Sequence, residues 1–135
     1  VTEEQERIAK YLSDLGVNIV VGDTGYSIQP IVMIDNTLVC YSLGNLLSGH
    51  SYIDSRISAM VDFNLNIVKS KEKTEIKFED INVLLNYTYN LNNNYKVIPF
   101  TKMSNELNNY HDYYDKYNEL LTTNNSELKL YAIGD

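Results

Sequence analysis

With a single cysteine, Cys40, the chain can form no internal disulfide, though many exported proteins lack disulfides too, so the compartment stays open. Cys40 lies in an apolar run and reads as a buried thiol. Basic residues are scarce: 11 Lys and Arg against 18 Asp and Glu give a net charge of -7 and a pI near 4.7. That balance excludes a nucleic-acid surface. The local lysines, Lys69, Lys71 and Lys73, are diluted by Glu72 and Glu75 and read as a solvated hairpin end. No apolar run reaches membrane-spanning length. The opening VTEEQERIAKYL has no signal-peptide pattern and begins directly on a helix, which reads as a fragment with any targeting segment upstream. Histidine occurs twice, at His50 in a loop and His111 on a helical pattern. Neither has a partner at metal-ligand spacing, so both read as solvated side chains. Tryptophan is absent while Asn and Tyr are plentiful, a bias that fits an AT-rich genome.

What is present suits one α/β (α+β) domain, or part of one, with a modest core. Thr2–Leu15 reads as a helix with Thr2 and Gln5 as a capping box and an apolar stripe of Ile8, Leu12 and Leu15, closed by Gly16. Ile19–Val21 is a short apolar strand, of the kind found in buried sheets. Residues 31–34 and 38–41 form a hairpin about Asp35-Asn36-Thr37. Ile57–Val68 alternates apolar and polar, and Thr74–Leu85 pairs with it, with a bulge near Glu79-Asp80 where the alternation slips. Asn90–Asn94 is a loop, and Tyr95–Phe100 a short edge strand containing Pro99. Met103, Leu107, Tyr110, Tyr114, Tyr117 and Leu121 predict an amphipathic helix over Ser104–Leu121, capped by Ser104, whose tyrosines pack into the core. Leu128–Ile133 is a weak final strand. Asn86-Tyr87-Thr88 and Asn124-Asn125-Ser126 match the glycosylation acceptor pattern, which short sequences match by chance.

The organising stretch is Val20–Gly49. Gly22-Asp23-Thr24-Gly25 follows one strand and Ser42-Leu43-Gly44-Asn45 follows another. Loops after strands are where α/β proteins often bind ligands, which makes Asp23 and Asn45 candidates. The competing reading is that both bond their own backbone in turns. Ser42 and Ser48 lack a nucleophile elbow or an evident base, and Gly22-x-x-Gly25 lacks the lysine and helix of a phosphate loop. No spacing rule pairs Asp23 with Asp35 or Asp54.

The segments Val17–Gly22, Ser27-Ile28-Gln29-Pro30-Ile31 and Tyr41-Ser42-Leu43-Gly44-Asn45-Leu46 resemble the bacterial capsule-synthesis (poly-gamma-glutamate) proteins of the CapA family. The resemblance also extends to Tyr95–Phe100 and the Tyr-rich helix. It implies the C-terminal portion of a calcineurin-like metallophosphoesterase fold, with one N-terminal helix, a mixed or antiparallel sheet with hairpins and one C-terminal helix. Where such proteins carry His-Pro-His, this chain has Thr24-Gly25-Tyr26, and hydroxyls are poor replacements for imidazole at a zinc, iron or manganese site. The family motifs expected upstream, a first-strand Gly-Asp, Asn-Leu-Glu, Asn-Asn-His and His-Trp-Gly, do not occur ahead of these segments. The resemblance therefore implies a capsule-biosynthesis protein that is non-catalytic in this form. No cofactor is expected here, and a divalent metal belongs to complete relatives. Asp23, Thr24, Tyr26, Ser42 and Asn45 are the candidate ligand-binding residues, for an envelope polymer or a phosphorylated ligand. The alternatives are a scaffold subunit that self-associates or pairs with a chain supplying the missing motifs, and a phosphoesterase with a rearranged site. Full-length relatives imply an anchored protein on the outer face of the cell envelope, with no anchor in this chain.

Overall fold

The structure, a computed structural model, describes residues 1–23 and 25–134. It is α+β: two helices and two open sheets. Helix α1 spans Glu3–Asp14. The Thr2 hydroxyl accepts from the Gln5 backbone N–H and the Gln5 side chain accepts from the Thr2 N–H, so the expected capping box forms. The apolar stripe does not pack as expected. Ala9 is the buried residue of α1, whereas Ile8 is 43% and Leu15 63% exposed.

The first sheet has the order β1-β3-β2, from strands β1 (Ile19–Val21), β2 (Ile31–Ile34) and β3 (Thr37–Cys40). β2 and β3 form the predicted hairpin, tightened to a two-residue turn in which Asp35 adopts φ 51°. Asp tolerates this left-handed conformation better than most residues. All of β3 is buried, because it is covered on both of its faces. Leu38 and Cys40 enter the main core, while Val39 and the following Tyr41 pack with Ala9 beneath α1. Burial pushes the Cys40 thiol up to about 11, the inert state expected of it. β1 corrects the expectation of a buried strand. It pairs in parallel with β3 at the sheet edge, and Ile19 and Val21 are 41% and 59% exposed. Being apolar did not bury it, because β1 is covered on the Val20 side alone.

The second sheet is built on β5 (Thr74–Leu91), longer than the sequence pattern indicates. β4 (Ile57–Lys69) runs antiparallel along one edge. β6 (Asn94–Pro99) and β7 (Lys129–Leu130) both pair with β5, the latter in parallel. The β5–β6 turn is Asn92-Asn93, with φ 54° and 66°, so the predicted asparagine loop is a tight hairpin turn. The expected bulge is present: Asp80 has φ 51°, and the register shifts between Asp62 and Asn64. Asn86 and Thr88 are buried in β5, which rules out glycosylation at Asn86.

Helix α2 spans Tyr110–Asn124, starting six residues later than Ser104. Ser104 does not cap it. Its hydroxyl instead engages the Glu106 carboxylate, a local bond that competes with helix formation. Met103, Leu107, Tyr117 and Leu121 nevertheless all enter the core, so the spacing tracked burial beyond the helix itself. α2 is tied to the 3-10 turn Asp54–Arg56 by Asp54, which accepts from Lys116 Nζ at 2.7 Å and from the Tyr117 hydroxyl.

Partial burial raises the Asp54 pKa, and the bonds from Lys116 and Tyr117 outweigh it, so the carboxyl sits below its ordinary value. A carboxylate with a lowered folded pKa contributes stability above its unfolded pKa and loses it as pH falls through the folded one. Asp54→Asn should lower the melting temperature at neutral pH and flatten its fall between about pH 5 and pH 2, checked by thermal unfolding across that range.

Candidate functional site

Parallel pairing of β1 and β3 sends both chains out at the same end of the sheet. The loops after them, residues 22–30 and 41–50, therefore meet, in the position where open sheets commonly bind ligands. The two loops are bonded together. Gly22 N–H donates to Cys40 O at 2.8 Å, Gln29 N–H to Ser42 O at 3.0 Å, and Tyr41 N–H to Pro30 O at 3.2 Å. Ile28 bridges to Leu43. Gln5 adds a link from α1, its Nε2 donating to Gln29 Oε1 at 2.9 Å.

Gly22 permits the approach of the two loops, and Gly44 that of the second loop to β4. A Cβ on Gly22 would fall inside the contact radius of the Tyr41 carbonyl oxygen. Gly44 has φ 70°, a conformation that favours glycine, and passes close to the Ile57 carbonyl. Ala59 N–H then donates to Leu43 O at 2.8 Å, joining the second loop to β4.

The candidate side chains are placed unequally around this frame. Asp23 is exposed and Asn45 half-buried. Asp23 stands at the mouth of a cleft of about 160 Å³ under α1, shared with Gln5, Ile8, Gly22 and Tyr41. Tyr26 is 65% exposed, its ring edge-on to His50 with centroids 5.0 Å apart. Ser42 is buried, and its hydroxyl is engaged in the frame: it donates to Gly25 O and accepts from Gly44 N–H, both at 3.3 Å. Thr24 lies outside the described residues.

The second loop continues over the sheet. Buried Thr88 accepts from Ser48 N–H at 3.1 Å and donates to Leu46 O at 3.2 Å. Arg56 Nε donates to His50 O at 2.6 Å, and its Nη1 reaches the Tyr87 hydroxyl at 3.5 Å. Sequence reasoning treated His50 as solvated and did not single out Arg56 or Tyr87. Arg56 is one of two arginines in an acidic chain, and that rarity was the available signal.

A transition-metal centre needs imidazole or clustered carboxylate donors. Among the described residues no three His, Cys, Asp or Glu side chains lie close enough to share an ion. Asp23 is the one carboxylate in the loops and His50 the one imidazole, Tyr26 offers a phenol, and the Ser42 hydroxyl is already used. This donor set does not fit a dinuclear metal site.

The family model for the bacterial capsule synthesis protein PGA_cap matches residues 1–50, which hold α1, the first sheet and both loops. Over 63 residues the chain is 33% identical to the PGA biosynthesis protein CapA of Bacillus subtilis (strain 168). That alignment covers 47% of this chain and 17% of the relative. The family-model match lies on the segment that forms the loop frame. No solved structure matches.

If close backbone approach sets this frame, Gly22→Ala should destabilise the fold by about 1–3 kcal/mol, the usual cost of overpacking. Gly49→Ala meets only the Tyr95 hydroxyl, at 3.8 Å, and should leave stability nearly unchanged. Chemical unfolding of both variants checks the contrast.

Proposed function

We propose that this chain is a CapA-like protein of capsule or poly-gamma-glutamate biosynthesis, formed from the C-terminal part of a calcineurin-like metallophosphoesterase fold and non-catalytic in this form. One observation carries the reading. The similarity to the capsule-synthesis family falls on the segment that holds the loops joined at the end of β1 and β3, and Tyr26, which our reading sets against a histidine of the family motif, is exposed there. The frame of the site is kept, and its donors are unsuited to a transition metal. Asp23, Thr24, Tyr26, Ser42 and Asn45 remain the residues through which a ligand would be bound. Ser42 would act by shaping the loops, and Asp23, Tyr26 and Asn45 by direct contact. An envelope polymer or a phosphorylated molecule is the ligand class the reading implies. The whole protein would act at the outer face of the cell envelope. No helix among the described residues is long and apolar enough to cross a membrane.

A second reading, a scaffold subunit completed by another chain or by self-association, is favoured by one specific feature. The outer edge of β1 is unpaired in its sheet, with Ile19 and Val21 exposed, and α1 presents Ile8, Tyr11 and Leu15 outward. An apolar edge of this kind invites strand pairing.

After dialysis the purified chain should hold no stoichiometric zinc, iron or manganese by elemental analysis. Tight binding of one or two ions would overturn the non-catalytic reading. The scaffold reading predicts a mass in solution above that of the 15.5 kDa chain, lowered by Val21→Lys; a monomer at all concentrations would sink it.

A further inference from the structure

We propose that Arg56 and Tyr87, at the end of the Ser48–Arg56 loop, form a binding site for a small oxyanion, a phosphate or a carboxylate. The inference goes beyond the capsule-biosynthesis reading and does not depend on it.

Arg56 is half-buried, and its guanidinium is held in place rather than free to swing. Nε donates to His50 O at 2.6 Å, and Nη1 reaches Tyr87 Oη at 3.5 Å. Nη2 has no hydrogen-bond partner among the described residues. Arg56 also has no carboxylate within ion-pair distance among the described residues, although the chain has more acids than bases. Arg7, Lys73 and Lys116 each have one, and Lys10 has two. The acid nearest in sequence, Asp54, is turned to Lys116 and Tyr117 instead. The other lysines without such a partner are long, solvated side chains. Arg56 differs in being pinned.

Tyr87 is buried, and its oxygen receives the Arg56 Nη1 proton, which leaves its own O–H free to donate. The guanidinium and the phenol hydroxyl, 3.5 Å apart, therefore both offer donors, with no acceptor among the described residues engaging Nη2. Planar, fixed arginine edges of this kind match the oxygens of phosphate and carboxylate. His50, whose carbonyl holds Nε, has its ring against Tyr26, so an anion here would sit beside the loop frame described above.

The chain contains two arginines and two histidines, so each has an internal control. Arg7 is paired with Glu4, and His111 is stacked on Tyr110. Inorganic phosphate and acetate are titrated separately into labelled protein at constant pH and ionic strength, while the arginine Nε–H and histidine ring signals are followed by NMR. Saturable shifts of Arg56 and His50, with Arg7 and His111 still, are expected. Saturation by phosphate alone assigns the site to phosphoryl ligands, and by acetate alone to carboxylates. Arg56→Gln should abolish the His50 shift. Arg56→Lys, which keeps the charge, should weaken binding about tenfold. Tyr87→Phe should weaken it while leaving the Arg56 signal in place. The proposal is overturned if neither anion gives a saturable shift up to about 50 mM, far weaker than a functional site. It is equally overturned if Arg7 and His111 move as much as Arg56 and His50, or if the His50 shift survives in a folded Arg56→Gln protein.

Discussion

The parallel pairing of β1 with β3 is the constraint on which the rest depends. β3 is buried on both faces, by α1 on one side and by the main core on the other. Its position is therefore fixed by two independent sets of apolar contacts. A strand paired in parallel with it must leave the sheet at the same end. The loops at 22–30 and 41–50 then have to share one space, and the glycines at 22 and 25, against Tyr41 and Ser42, are what allow them to come so close. Replace the parallel pair by an antiparallel one and the two loops would lie at opposite ends of the sheet.

The second sheet serves this arrangement from below. β5 is long enough to carry β4 on one edge and both β6 and β7 on the other. Its buried Thr88 holds the loop at residues 46–48, and its Tyr87 meets Arg56 at the loop's far end. The loop that completes the candidate site is thus fastened to the most extensively paired strand in the molecule. α2 adds a third attachment through Asp54, whose two donors keep the 3-10 turn against the helix.

Features set by neighbours in sequence were legible from the sequence. The Thr2–Gln5 capping box, the Asp35-Asn36 turn, the slip at Glu79-Asp80 and the edge position of the strand with Pro99 all depend on a few adjacent residues. Features set by distant partners were not. Ile19 and Val21 look like core residues until it is known that nothing covers that side of β1. The stripe of α1 has the right spacing, yet Ala9, a small residue allowing close approach, is the position buried against the sheet. The Met103–Leu121 pattern correctly marked core residues, but periodicity could not show that Ser104 bonds Glu106 instead of opening a helix. The candidate site was half legible. Its glycine and Gln-Pro frame stood out, while the meeting of Arg56, Tyr87 and His50 depends on residues brought together by pairing of β4 with β5.

A site can keep its frame while its chemistry changes, because the two rest on different atoms. The frame here is backbone: amides and carbonyls exchanged between two loops, with the Ser42 hydroxyl filling the gap. None of those bonds involves the Tyr26 side chain, so the frame does not depend on which side chain stands there. Under the proposed family reading an imidazole at this position would be a nitrogen donor for a metal, whereas Tyr26 offers a neutral hydroxyl and a large apolar ring. Such a surface is better suited to holding a ligand by hydrogen bonds and ring contact than to activating water on a metal. The Arg56 guanidinium, positive and fixed beside that ring's neighbour His50, gives this surface a charge that an anionic ligand could use without any metal to bridge it.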